Sequence, residues 1–277
     1  MKEIQMRMNE ICDLIGISPQ GIRLYEKHNA ISSFKWDGNG YRYYYFENLG
    51  PAIGLRGYRN LGIPLKEAAK LCNGITVDKL KETLYEREKE ILAEIRMKEA
   101  ILKCNREMAL SIEDMLDNYN RFEYCERPAM YFLKCEENGE ILKSKEDRQL
   151  IRAWSDKFPF VKFFPLIEQK ELSRDVVSKV GFCVKEEYAE FVPEVDNPRV
   201  KYYPAKRCIG GVTRVTRETM DYYSVAESGL NYLKENNLEL DGDIFTLLIA
   251  PSVLTHEPDE VIADYHYIWF PVKENNT

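Results

Sequence analysis

The stretch from Thr76 to Tyr119 contains neither glycine nor proline and is rich in Glu, Lys, Leu, Ile and Met. It limits what the rest of the chain can fold into. Heptad spacing puts Val77, Leu84, Ile91 and Ile112 in one column, and Leu80, Ile101, Met108 and Met115 in the next. Ile95, Leu102, Ala109 and Leu116 lie beside them, while Arg87, Glu94, Lys98 and Asn105 interrupt the seam. The pattern predicts one amphipathic helix of roughly 60 Å at about 1.5 Å per residue. An apolar stripe of that length exceeds what a small N-terminal head can cover. The expected partner is the same helix of a second copy, in a homodimer. The alternative is packing along the chain's own C-terminal part.

Ahead of this helix, Met8, Ile11, Leu14 and Ile15 form a short apolar-periodic piece closed by Gly16. The run ISPQGIRLYEK at 17–27 follows, with Ser18 suited to cap a helix and Pro19 to its first position. Two short helices joined through a glycine-containing turn outline a helix-turn-helix, whose second helix reads DNA. From Gly38 the sequence GNGYRYYYFE predicts a β-hairpin wing. A helix over 49–61 carries Arg56 and Arg59 among apolar residues, and GIPLKEAAKL at 62–71 restarts a helix at Pro64.

In order and spacing, residues 22–26, 40–44, 49–61 and 62–67 resemble the DNA-binding domain of the MerR family of transcription regulators. One position departs from the pattern: Leu24 stands where the recognition run has its first tyrosine. Residue chemistry assigns Gln20 and Arg23 to base edges and Tyr25 to backbone or base, with Ser18 a cap that also reaches phosphate. Arg42 is the wing's candidate for minor groove or phosphate, with Tyr41 and Tyr43 beside it and Lys35 nearby. By the resemblance, Arg56 and Arg59 face the DNA backbone.

Net charge is −7, which by itself disfavours DNA, but the charge is unevenly spread. Residues 1–75 hold ten Lys/Arg against seven Asp/Glu, giving +3, so the remainder carries −10. A basic head on an acidic body suits local phosphate contact. With 44% hydrophobic and 31% charged residues, the composition is that of a soluble globular protein. No apolar run reaches membrane-span length and the start lacks a signal-peptide core, so the expected location is cytoplasmic, without membrane partners. The seven cysteines include no CxxC and read as reduced, buried thiols.

Beyond residue 122 the pattern mixes strands and helices. Strands are expected at 130–135, 162–169 and 179–185 with a helix at 147–157. A second round has strands at 209–213, 245–250 and 263–272 with a helix at 219–236. Two strand–helix–strand–strand units make an α+β domain with its helices on one side. The order resembles the gyrase-inhibitor-like effector-binding domain of multidrug-sensing MerR regulators, which binds bulky aromatic ligands, often cations. The expected organisation is therefore a winged helix-turn-helix head at 1–75, a dimerisation helix at 76–121 and an effector-binding domain at 122–277. The family resemblance makes the dimer contact an antiparallel coiled coil.

Trp154, Phe182, Tyr222, Tyr223, Tyr267 and Trp269 are candidates to line a stacking pocket. Drug-sensing relatives carry acids on the last two strands; Thr246 and Tyr267 stand at those places, with Glu187, Asp241 and Asp264 as other sources of charge. A neutral or weakly basic aromatic effector fits as well as a cation. His28, His256 and His266 are scattered, and no phosphate loop, metal-ligand cluster or catalytic constellation occurs, so no enzyme activity, cofactor or metal is expected. The minor alternatives are a small hydrolase using Tyr267 with Glu187 and a ligand-sequestering protein. As the resemblance implies, two heads grip a promoter with an over-long spacer. The effector then distorts the DNA so that RNA polymerase can engage.

Overall fold

The computed structural model describes residues 4–35, 40–137, 140–172, 179–216, 222–254 and 262–273. The chain divides into two compact units, Met1–Arg96 and Met97–Thr277.

The first unit begins with strand β1 (Gln5–Arg7), then helices α1 (Met8–Ile15) and α2 (Pro19–Lys27). Helix α1 opens with the Glu10 carboxylate accepting from the Arg7 amide at 2.6 Å, which satisfies one of the free donors of the first turn. It closes at Gly16, whose φ of 68° suits a residue without Cβ. Ser18 Oγ then accepts from the Gly21 amide at 3.2 Å to start α2, with Pro19 at the first position.

The wing is more than a hairpin. Strands β2 (Phe34–Lys35) and β3 (Arg42–Tyr45) pair antiparallel, and β1 adds to the other side of β3, giving the order β1-β3-β2. Tyr44, at the centre, is fully buried. Helices α3 (Leu49–Asn60) and α4 (Leu65–Leu71) complete a core of Ile11, Ile22, Ala52, Leu55 and Ile63.

Helix α5 (Val77–Asp117) crosses the division between the units. On the head side Leu80 and Leu84 pack against the head core. Arg87, which breaks the apolar column in sequence, donates from Nε to the Leu61 carbonyl at 2.6 Å and is held by Glu90 and Glu94. The turn it reaches needs Gly62: φ is 89°, and a Cβ there would stand 2.5 Å from Arg87 Nη2. Tyr85, Leu92, Ile95, Leu102 and Ile112 remain exposed along the helix.

The second unit contains strands β4 (Phe122–Arg127) and β5 (Met130–Lys134), a small hairpin of β6 (Glu136–Glu137) and β7 (Glu140–Ile141), and helix α6 (Lys145–Ser155). Next come β8 (Val161–Ile167), β9 (Lys179–Lys185), β10 (Val200–Tyr203) and β11 (Lys206–Thr216). Helix α7 (Tyr222–Glu235), β12 (Ile244–Leu254) and β13 (Ile262–Pro271) end it. Eight strands form one sheet in the order β10-β5-β9-β8-β12-β13-β11-β4, with every pairing antiparallel. Strands β4 and β10, at its edges, lie outside the two units expected from sequence.

Side-chain alternation separates the two faces of this sheet. Leu133, Val161 and Val184 meet Leu150 and Trp154 of α6, while Ile209, Ile268 and Phe270 meet Val225, Ala226 and Leu233 of α7. The opposite face carries Met130, Phe132, Leu166, Cys183, Phe245 and Trp269. In this unit α5 packs Met97, Ala100, Ile101 and Cys104 against the cluster around Tyr188 and Phe160. Among the described residues, no helix is long and apolar enough to cross a membrane.

Candidate functional site

On the head, Gln20 and Arg23 project from the exposed side of α2. Arg23 meets Arg7, Asn9, Tyr41 and Arg42 around one concavity between the start of α1, the recognition helix and the wing. Glu26 ties these elements together. Its carboxylate lies 3.2 Å from Arg42 Nη1 and accepts from the Tyr44 hydroxyl at 3.1 Å. The wing is thereby fixed against the recognition helix while the Arg42 side chain stays 46% exposed. Tyr41 is exposed, Tyr43 is half-buried beside Phe34, and Lys35 is exposed opposite Arg42.

Two of the expected contact residues also have structural roles. Tyr25 is buried in the head core, so its ring is closed to DNA. Burial also raises its hydroxyl above the ordinary range, against the opposing pull of Arg56 and Arg59. Arg59, although exposed, donates from Nη1 to the Ile63 carbonyl at 2.7 Å and so serves the turn between α3 and α4. Arg56 lies over the end of α1, its Nη1 2.7 Å from where a Cβ on Gly16 would stand. Ser18 is engaged as the cap described above. Arg7 and Asn9 join the surface without having been expected; their only sequence signal is their place at the start of α1.

In the second unit, a cavity of about 310 Å³ lies on the sheet face opposite α6 and α7. Its origin is a break in the ladder. Strands β8 and β12 pair only at Ile244↔Ile167 and Phe245↔Leu166. The next rung would use Pro165, whose carbonyl faces β12 and accepts from Thr246 Oγ1 at 3.3 Å. Proline has no amide N–H to return, so the ladder ends there and the strands part. Continued, the register would have set Ile249 opposite Lys162. Both instead line the cavity, with Met130 and Cys183 from the same face, Trp269 from β13, and Cys104, Glu107, Met108 and Ser111 from α5.

The polar groups of this cavity are specific. Glu107 accepts from Lys185 Nζ at 2.7 Å and from the Tyr188 hydroxyl at 3.0 Å. Burial opposes its ionisation, but these donors outweigh burial and hold the carboxyl below its usual range. Lys162 makes no hydrogen bond or ion pair among the described residues, and burial pulls its ammonium below the ordinary lysine range. Burial pushes the Cys183 thiol up to about 12, so it stays protonated. No group of three or more potential metal ligands occurs among the described residues.

Of the aromatic residues expected to line a pocket, Trp269 does so. Tyr267 lies against it at 4.9 Å between centroids with the rings tilted by 56°, beside Cys125. Trp154 is fully buried and donates from Nε1 to the Pro193 carbonyl at 3.0 Å, making it a core residue. Phe182 points to the α6 face, the wrong parity for the cavity. Thr246 is buried against Pro165. Glu187 is exposed and paired with Lys103, whereas the Tyr267 hydroxyl is engaged with Cys125. Tyr222 and Tyr223 have side chains outside the described residues, as does all of His256. Lys162, Lys185 and Glu107 were not expected. The one signal for Lys162 is a lone lysine among the apolar residues that start β8.

Residues 6–75 match the family model of the MerR HTH family regulatory protein. The head is thus a MerR-type helix-turn-helix domain. No curated protein matches the chain. Among solved structures, a MerR-family transcriptional regulator from Bacillus cereus is 19% identical, covering 40% of this chain and 84% of that one at a TM-score of 0.36. EcmrR, solved in a complex with DNA, is 13% identical, covering 97% and 100% at a TM-score of 0.36. A hydrolase from Listeria innocua is 16% identical, covering 59% and 98% at 0.31.

Proposed function

We propose that this chain, with its MerR-type head, is a ligand-responsive transcription regulator that binds double-stranded promoter DNA. The observation that carries the reading is the surface where Arg23 of the recognition helix meets Arg7 and Arg42, with the wing held in place through Glu26. Arginine forks suit guanine edges and phosphates, and a fixed wing sets their spacing. The cavity of the second unit is the effector site in this reading. Helix α5 supports a coupling between ligand and DNA, since it packs on the head core and also contributes Cys104, Glu107 and Met108 to the cavity. A ligand that favours one placement of α5 shifts the head by its difference in affinity for the two states.

Exposed Leu92, Ile95, Leu102 and Ile112 support a second copy packed along α5 as an antiparallel coiled coil. The two heads then grip one DNA element and act on RNA polymerase through its distortion, at a bending cost of about 1–6 kcal/mol. The second unit is read as an effector-binding domain of the gyrase-inhibitor-like type. The test is a footprint on the DNA upstream of its own gene. The wild type should protect a site with steep salt dependence, and Arg23→Ala with Arg42→Ala should remove protection. Equal protection by the double variant would overturn the assignment.

A further inference from the structure

The cavity on β8, β12 and α5 has a charge pattern that selects its occupant. Most of its surface is apolar: Met108, Leu110, Pro159, Phe160, Leu247 and Ile249. Among the described residues, its charged lining consists of Glu107, Lys162 and Lys185. The carboxylate is already occupied by Lys185 and Tyr188. Nearby Glu187 is held by Lys103. Among the described residues, no negative group in the lining is left over for a cation.

The positive side is different. Lys162 lines the cavity without a hydrogen-bond or ion-pair partner among the described residues. On the same sheet face, Arg127 is buried at 2% exposure. Its guanidinium lies 4.6 Å from the Phe245 ring centre and donates to the carbonyls of Pro204 and Pro128, and its Nε has no hydrogen-bond partner among the described residues. Neither cation has a carboxylate of its own. Cys183 stands between them electrostatically but is held as a neutral thiol. Glu107 acts on Lys162 only at a distance, being committed to Lys185 and Tyr188, and a half-buried ammonium without a bonded partner is unfavourable, a cost that an incoming anion relieves.

We propose that the cavity takes an amphiphilic organic anion, its apolar body against Leu247, Ile249 and Trp269 and its acidic group on the ammonium of Lys162. This rests on the reading of the cavity as the effector site. It reverses the charge that the family resemblance suggests for the ligand. The acidic group is a carboxylate, sulfonate or phosphate ester. These share the single chemistry of an oxyanion accepting from an ammonium.

The test is a titration of the full chain with a matched pair of dyes, 8-anilinonaphthalene-1-sulfonate and neutral N-phenyl-1-naphthylamine. The sulfonate should bind at least about tenfold more tightly. Lys162→Met should remove that preference while neutral-dye binding persists, and Lys162→Arg should keep it. Ile249→Trp, which fills the cavity, should weaken both dyes. Tetraphenylphosphonium and inorganic phosphate should fail to displace the sulfonate, one having the wrong charge and the other no apolar body. Equal affinity for the two dyes, an unchanged preference in Lys162→Met with native circular dichroism, or displacement by the phosphonium would overturn the anion assignment alone. Binding of neither dye, or binding insensitive to Ile249→Trp, would overturn the reading of the cavity itself.

Discussion

Thr213 and His266 stand directly opposite one another on β11 and β13, both buried, and neither Thr213 Oγ1 nor His266 Nδ1 has a hydrogen-bond partner among the described residues. Burial lowers the pKa of His266 below its ordinary value of 6.5, with Asp264 opposing. A base with a depressed native pKa binds fewer protons folded than unfolded. Stability is therefore complete above about pH 6.5 and falls as pH drops through the native pKa. The expected loss in that window approaches at most about 1.4 kcal/mol per pH unit. Urea midpoints of wild type and His266→Leu at pH 7.5 and 5.5 should differ in slope. Parallel slopes would show that the His266 pKa does not differ between the folded and unfolded states.

Glu26 joins Arg42 and Tyr44 to the recognition helix. In Glu26→Gln the amide oxygen can keep the Tyr44 bond, but the charge that holds Arg42 is gone. The wing loosens while a negative charge is removed beside the proposed DNA-facing surface. Affinity for random duplex should hold or rise, and the ratio of specific to random binding should fall by up to about fivefold. Competition titrations at fixed salt measure both. A ratio equal to wild type would show that Arg42 needs no support.

The thiols of Cys135, Cys183 and Cys208 are buried and pushed up to about 11, 12 and 12, chiefly by burial. They should be inert at pH 8 because the thiolate is the reacting form. With a colorimetric disulfide reagent, the native chain should release far fewer equivalents than the unfolded chain. Half-buried Cys72 and Cys125 should account for the fast phase. Fast modification of Cys183 would contradict its enclosure.

Trp154 is fully buried between α6 and the sheet, with its indole N–H bonded to the Pro193 carbonyl. Trp154→Ala should cost about 3–5 kcal/mol, and Trp154→Phe less, since the ring volume is largely kept. Thermal melts of the full chain measure this. A loss below about 1 kcal/mol would place Trp154 outside the core.

The head was legible because its signals are local: Gly16, Ser18 and Pro19 each act within one turn of the residue that carries them. The long helix was legible from composition alone. The site was harder to read, for a reason visible in Trp154 and Phe182. Both faces of the central strands are apolar, so alternation cannot say which face meets a helix and which a cavity, and a parity error moves every side chain across the sheet. Tyr25 and Tyr44 show the same limit in the head. Composition marks them as aromatic, but only the packing of three strands on two helices shows that both are buried. Lys162 was hidden because its role comes from a missing rung between β8 and β12, far apart in sequence.

The missing rung at Pro165 also bears on how fast and how tightly the cavity can be filled. A pocket that appears only in a minor conformer has its apparent affinity scaled down by that conformer's population. Here the separation of β8 from β12 is set by a ring in the backbone, which no thermal fluctuation can turn into an N–H donor. The gap therefore belongs to the ground state, and entry should be governed by the route in. Pro165→Ala supplies the missing donor on a strand whose carbonyl already points the right way. The expected result is a zippered seam, a protein that is more stable and yet slower to take up any dye.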